Sequence, residues 1–485
     1  MDTHGTRRPS VSLAVNQQKY LSARAGEQEL HAILTVRVDG ADVGAGGGSA
    51  LAEVLVIDTS SSMEGPPEKF RAAKNAAVAA LRTLPDGTPF AVVKGTHQAV
   101  AAYPESGPMR PATPELRAEA ERAVHRMVAA GGTCVGSWLD LSRRLLADQP
   151  APIPHVLMLT DGRNEHDDRM PLAGVLDACD GQFTCDAWGI GTGWDAQLLL
   201  RVTRRLHGAA DAVREESALP EEYRKLVRGL LAKTVPELVI GVTALPGSRI
   251  RYLKQVYPVE LPLVARESSA PGTPDRFVTR AWGNETRRYQ LCLVVDPAGH
   301  AQYEDLQAAA VEVTLPDGTA PGPPLMEPCL VHWTDDPELS AAPDGVVEHF
   351  ALYEQLAEAV VKASHAYRAG RKDEATRLLG VAVTLAHRLG AARQLAELQR
   401  LVEIHDAATG RVVLRDEVQP VDFEYLITVS THSDYGPAPV GQVPGGAPVA
   451  PAVPAELTDC LACGARMPAD AAFCPKCGHP TGEAS

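Results

Sequence analysis

The spacing of apolar and polar positions changes character three times along the chain. Residues 11–15 and 31–38 alternate apolar with polar, the two-residue period of strands with one buried face. Glycines crowd residues 40–48 and mark a loop. From about residue 50 strands and helices alternate. Residues 51–57 are apolar but for Glu53, as expected of a parallel strand buried on both faces. Residues 69–84 (KFRAAKNAAVAALRTL) carry apolar positions at helical spacing and stop at Pro85-Asp86-Gly87. A strand over 90–94, helices over 114–130 and 137–148, and strands over 155–160 and 185–191 continue the series. Such alternation predicts a doubly wound α/β sheet, whose ligands bind beyond the carboxyl ends of its strands.

The helical period vanishes between residues 236 and 345. Short β-rich runs over 237–243, 250–256, 288–295 and 309–314, separated by turns such as Pro246-Gly247 and Asp317-Gly318, predict an antiparallel β-sandwich. The two early strands have no other evident partners, so they are expected to join it, with the α/β unit inserted between them and the rest. Helices return over 347–369, 372–390 and 391–407, with Gly370 and Gly390 as stops. An apolar tail over 412–429 leads to residues 434–454, whose Pro, Gly, Ala and Val make a flexible linker. The expected organisation is therefore 1–45 as N-terminal strands of the sandwich, 46–235 as the α/β domain and 236–345 as the sandwich. Residues 346–410 form a helical segment, 411–455 a tail and linker, and 456–485 a small terminal module.

Charge narrows the partners. A formal net charge of −15 disfavours a non-specific grip on nucleic acid or anionic lipid. No run of about eighteen apolar residues predicts a membrane span, and no early charged-then-apolar segment predicts a secretory signal. Of nine cysteines, five are scattered singly, which reads as reduced thiols and a cytoplasmic location. The high Ala, Arg, Val and Gly content suggests a bacterial source.

Asp58-Thr59-Ser60-Ser61-Ser62 comes directly off the buried strand 51–57, at the end where this fold binds ligands. It aims one carboxylate and two hydroxyls at one point. Thr133, in the loop Gly131-Gly132-Thr133, adds another hydroxyl, and Asp161, in Thr160-Asp161-Gly162, closes the strand 155–160 with a second carboxylate. Five oxygen donors from three loops suit a hard divalent cation such as Mg²⁺, Mn²⁺ or Ca²⁺. Taken alone, the serine run would also serve as a strand-to-helix turn with a capping hydroxyl.

This ordered set, D-x-S-x-S, then Thr in a glycine loop, then T-D-G, resembles the metal-ion-dependent adhesion site of von Willebrand factor A (VWA) domains, over roughly residues 50–235. The resemblance implies a Rossmann-like α/β fold in which Asp58, Ser60, Ser62, Thr133 and Asp161 hold the metal directly or through water. It also implies an open coordination position that an acidic residue of a partner protein fills. Ser61 stands where the family usually has Gly. The implied function is a protein–protein interaction adaptor or scaffold. The alternatives are an accessory subunit of an AAA-type ATPase, or a metal-dependent phosphohydrolase, for which Ser60 stands where a second carboxylate would serve as general acid.

Near the C-terminus, Cys460-x-x-Cys463 and Cys474-x-x-Cys477 lie ten residues apart, each pair followed by Gly. Four thiolates so spaced suit one tetrahedral Zn²⁺ and resemble a zinc ribbon, with no position left for water. Residues 456–485 carry only Arg466 and Lys476 against four acids, so protein docking is expected of this module rather than nucleic-acid binding. Other candidates read as structural. Residues 164–168 (NEHDD) form a solvated loop, Gly189-Ile-Gly191-Thr-Gly193 a strand-end turn, His97, His155 and His207 capping or core residues, and Cys134 a small buried side chain. Residues 428–433 (TVSTHS), beside Asp422 and Glu424, are a candidate phosphorylation stretch.

Overall fold

The computed structural model describes residues 9–41, 50–266, 273–315, 325–435, 457–459 and 466–468. The chain divides into two units, Met1–Tyr435 and Gly436–Ser485.

In the first unit a seven-stranded sheet runs in the order Ala210–Val213, Thr184–Ile190, Ile153–Thr160, Leu51–Asp58, Pro89–Gly95, Val100–Tyr103, with Arg110–Pro111 also paired to Pro89–Gly95. The first five strands are parallel and the last additions antiparallel. Every residue of Leu51–Asp58 is buried, which is why its sequence lacks polar alternation. Helices cover both faces. Leu55, Ile57 and Leu157 pack against Ala73, Ala76, Ala77 and Leu81 of helix Pro67–Thr83, whose alanines permit close approach. Val54, Val56 and Met158 pack against Trp138 and Leu139 of helix Val135–Leu146 on the other face.

Two further sheets, each of five strands, share a separate core. One orders Ser10–Gln17, Gln28–Asp39, Glu285–Val295, Ser248–Tyr257 and Leu261–Leu263. The other orders Asp275–Trp282, Val235–Ala244, Asp305–Thr314, Leu325–Thr334 and Tyr20–Ser22. Leu30, Ala32, Leu34, Val36 and Val38 alternate inward toward Leu238, Ile240 and Val242, the period-two pattern of a strand with one face buried. Strand Gln28–Asp39 pairs with Glu285–Val295 along eleven residues, so strands from before and after the α/β sheet lie side by side.

Helices Gly345–Arg368, Lys372–Leu389 and Ala392–Leu401 follow, and their Leu356, Val360, Leu379, Val383 and Leu398 join the core that includes Trp194, Leu199 and Leu200 of the α/β unit. Here the structure corrects the sequence reading in three places. The third helix ends at Leu401 rather than 407, because Val402–Asp406 pairs with Arg411–Leu414 as a hairpin. Gly410, at φ 69°, lets that hairpin approach the helix; a Cβ there would meet the Gly380 carbonyl oxygen at 2.5 Å. The expected tail over 412–429 contains instead helix Pro420–Ser430, opened by Pro at its first turn and a capping box of Gln419 and Asp422. Residues 423–430 are all buried, so this helix has no polar face to reveal its period. Thr428, Ser430, Thr431 and Ser433 are buried with it, which removes them as an accessible phosphorylation stretch.

Of the second unit the structure describes one antiparallel pair, Leu457–Asp459 with Arg466–Pro468. Cys460, Cys463, Cys474 and Cys477 lie outside the described residues, as does the greater part of the expected linker.

Candidate metal centre at the carboxyl end of the sheet

Asp58 is the last residue of the central strand Leu51–Asp58, and Thr160 the last of its neighbour Ile153–Thr160. The turn after Asp58 is pinned to both flanking loops. Thr59 N donates to Gly95 O (2.8 Å), Ala130 N to Thr59 O (2.7 Å) and Ser61 N to Gly131 O (2.8 Å). Backbone bonds thus fix where the serine hydroxyls sit, leaving the side chains free to converge.

They converge as a chain of short hydrogen bonds. Asp58 Oδ1 accepts from Ser60 N (2.8 Å) and Ser60 Oγ (2.6 Å), while Thr160 Oγ1 donates to Asp58 Oδ2 (2.6 Å). Ser60 Oγ lies 2.9 Å from Ser62 Oγ, which donates to Asp161 Oδ1 (2.7 Å). Thr133 reaches the same place: a Cβ added to Gly162 would stand 3.3 Å from Thr133 Oγ1, 3.6 Å from Asp58 Oδ2 and 3.7 Å from Ser62 Oγ. The structure therefore brings together all five residues that the sequence singles out. Asp58, Ser60, Thr133 and Asp161 are buried, and Ser62 is exposed, so the cluster has a dry floor and one open side. Burial pushes the Asp58 carboxyl up to about 6, against the hydrogen bonds from Ser60 and Thr160 and with the charge of Asp161.

The sequence reading missed Lys69. It arrives in the first turns of helix Pro67–Thr83, and its buried ammonium donates to Ser62 O (2.7 Å) and to Asp161 Oδ2. Gly191, at φ 73°, makes room for its stem, since a Cβ there would meet Lys69 Cδ at 2.8 Å. The three glycines of the strand-end turn clear space for neighbouring groups: Gly189 for the Trp194 ring, Gly191 for Lys69 and Gly193 for the Asp161 carbonyl. One ammonium against two carboxylates leaves a net negative charge in a set of oxygen donors, and that set fits a hard divalent cation.

The rim holds two histidines that sequence spacing could not place together. His97 and His166 meet edge to face at 6.1 Å between ring centroids, beside Gly131 and Gly132. A side chain at Gly132 would have to displace the His166 imidazole. In the same loop Asn164 Oδ1 accepts from Val135 N (2.9 Å) and Asp167 Oδ1 from Leu172 N (2.8 Å), bracing two helix starts. Cys134 is fully buried, one of five free cysteines among the described residues.

At the opposite end of the sheet His155 lies in the core between two acids. Its Nδ1 is 2.9 Å from Glu53 Oε2 and its Nε2 3.3 Å from Asp186 Oδ2. Burial alone would lower its affinity for a proton, but the two carboxyls prevail and raise it to about 10. Asp186 is held below the usual carboxylate range by the same imidazolium, and burial pushes Glu53 up.

Known proteins share this architecture. Residues 52–212 match the von Willebrand factor type A domain family. A solved von Willebrand factor type A protein of Catenulispora acidiphila is 32% identical, with a TM-score of 0.79, over 90% of this chain and 99% of that one. The ArnB paralogue VWA2 of Sulfolobus acidocaldarius shares the fold at 14% identity and a TM-score of 0.52, over 87% of this chain and 98% of that one. An uncharacterised protein of Synechocystis sp. is 25% identical over 222 residues, 44% of this chain; the chain spans about half of that relative's length, 51%. With the Catenulispora acidiphila protein 32% identical and covered over 99% of its length, and a domain match that includes Asp58 and Asp161, the chain belongs to the von Willebrand factor type A family.

Proposed function

We propose that this chain is an adaptor or scaffold whose α/β domain holds Mg²⁺, Mn²⁺ or Ca²⁺ through Asp58, Ser60, Ser62, Thr133 and Asp161, and docks an acidic residue of a partner protein on that ion. The observation that carries the reading is the convergence of these five oxygen-bearing side chains at one strand end, four of them buried and Ser62 open to solvent. VWA domains are typically interaction modules rather than enzymes, and a cation held by hydroxyls keeps exchangeable positions for a partner's carboxylate. Lys69 shares Asp161 and tempers the negative charge that the ion would otherwise meet. In the terminal unit, the four cysteines Cys460, Cys463, Cys474 and Cys477 would hold Zn²⁺, making a tethered docking module. The antiparallel pair Leu457–Asp459 with Arg466–Pro468 flanks the first two of these cysteines along the chain.

The test is Mn²⁺ binding by the full chain, read by paramagnetic resonance, alongside capture of binding proteins in Mg²⁺. Asp58→Ala, with its fold checked by circular dichroism, is expected to lose both the ion and the captured proteins. Retention of the same proteins by the folded variant would sink the reading. Turnover of a phosphate ester that depends on Asp58 would instead favour a phosphohydrolase. Co-purification of an AAA-type ATPase would give the adaptor a specific role as its accessory subunit.

A further inference from the structure

A different cluster lies on the outer face of the five-stranded sheet that holds Gln28–Asp39. Leu30 and Ala32 point into the core, so Glu29 and His31, two residues apart, share the opposite face. Cys292 on strand Glu285–Val295 pairs directly with His31 and stands on that same face. Ile33, next along it, packs under Val347 and Phe350 of helix Gly345–Arg368, so the face is partly covered rather than open surface.

The three ligand atoms lie within 4.8 Å of one another. Two edges are already at the spacing that metal coordination requires. Bonds of about 2.0–2.1 Å to nitrogen and oxygen and about 2.3 Å to sulfur, arranged tetrahedrally, imply edges of about 3.3 Å between N and O and about 3.6 Å between S and O. His31 Nε2 is 3.3 Å from Glu29 Oε2, and Cys292 Sγ is 3.6 Å from the same oxygen. A small side-chain adjustment closes the third edge.

The donors already lean on one another and on their neighbours: Cys292 Sγ donates to Glu29 Oε2 and is hydrogen-bonded by Tyr252, contacts that an ion would replace. Arg251 contacts Glu29 through Oε1, leaving Oε2 toward the imidazole and the thiol. Gln290 Nε2 lies 3.4 Å from His31 Nδ1, while the buried Gln290 Oε1 has no hydrogen-bond partner. Turning that amide by half a turn sets its oxygen on Nδ1–H, the tautomer that frees Nε2 to bind a metal. A further carboxylate nearby, Glu354 of helix Gly345–Arg368, is tied to Lys254 Nζ at 2.8 Å.

We propose that Glu29, His31 and Cys292 form a second metal site, separate from the one at Asp58, which binds a borderline-soft divalent ion of the zinc type. Water completes the tetrahedron. Carboxylate, imidazole and thiolate together favour Zn²⁺ over Mg²⁺, whereas the oxygen-only set at Asp58 does the reverse. Binding displaces the thiol proton of Cys292 to solvent.

The test uses the full chain carrying Cys460→Ser, Cys463→Ser, Cys474→Ser and Cys477→Ser, so that the late cysteines contribute no signal. It is titrated with Co²⁺ and followed by the near-ultraviolet thiolate-to-cobalt charge-transfer band, which an oxygen-only site cannot give. A band that saturates at one equivalent, is bleached by Zn²⁺ and vanishes with Cys292→Ser is the expected result. Glu29→Gln, at a side chain exposed enough to leave the fold intact, is expected to weaken binding about tenfold or more. Absence of the band, or a band unchanged by Cys292→Ser or by Glu29→Gln, would overturn the proposal. Neither result bears on the site at Asp58, whose failure is read separately by Mn²⁺ binding.

Discussion

Lys69 and Asp161 form a buried pair in which removal of one partner strands the other. Lys69→Met is expected to cost about 3–5 kcal/mol in the metal-free protein. Part of that loss returns in Mg²⁺, because a divalent ion on the proposed ligands would compensate Asp161. Urea unfolding with and without Mg²⁺ measures both, and an equal loss in the two conditions would separate Lys69 from the metal. His155 gives a pH dependence. Its proton affinity is raised from 6.5 to about 10, so the folded state holds a proton that the unfolded chain releases earlier. The stabilisation is complete below 6.5 and is lost as pH rises through about 10. The urea midpoint should therefore fall across that interval, and His155→Gln should flatten the slope while lowering stability throughout.

Among elements, the helix Pro420–Ser430 ties the C-terminal segment to the α/β unit. Phe423 is fully buried in the shared core, and Phe423→Ala is expected to cost about 3–5 kcal/mol. Glu424, also buried, accepts from Ala196 N (2.9 Å) at the start of helix Ala196–Arg205 and contacts Arg368. Glu424→Ala leaves that donor and that cation without their acceptor, a loss of about 1–3 kcal/mol. Thermal melts of the two variants test whether this helix belongs to the folded body; a melting temperature unchanged by Phe423→Ala would count against it. The hairpin Val402–Asp406 with Arg411–Leu414 sits against helix Lys372–Leu389 at the Gly380–Gly410 approach, and any side chain at Gly410 would force the two apart.

For the whole molecule, the proposed reading makes stability depend on the divalent ion. An ion that binds only the folded state stabilises by about 2.7 kcal/mol when present at about a hundred times its dissociation constant. Mg²⁺ or Mn²⁺ should raise the melting temperature of the wild type and leave that of Asp58→Ala unmoved. A matching rise in the variant would mean that the ion acts elsewhere. Among the described residues no helix is long and apolar enough to cross a membrane.

The sequence alone determined much of this because local chemistry was enough. Leu51–Asp58 and Ile153–Thr160 are buried on both faces, so their apolar runs announced parallel strands, and Asp58 and Asp161 fall at or just beyond the strand ends by construction. The three oxygen-bearing loops were legible for the same reason. Contacts made across the fold were not. Lys69 lies in an ordinary helical period, and only the packing of Pro67–Thr83 turns its ammonium onto Asp161. Helix Pro420–Ser430 is apolar nearly all round, so its period carried no amphipathic signal although its capping residues were there to be read. His155 meets Glu53 and Asp186 across 102 and 31 positions, and Glu29, His31 and Cys292 meet across a strand pairing of residues more than 250 apart. Distances of that kind are set by sheet register, which a single chain read in order does not contain.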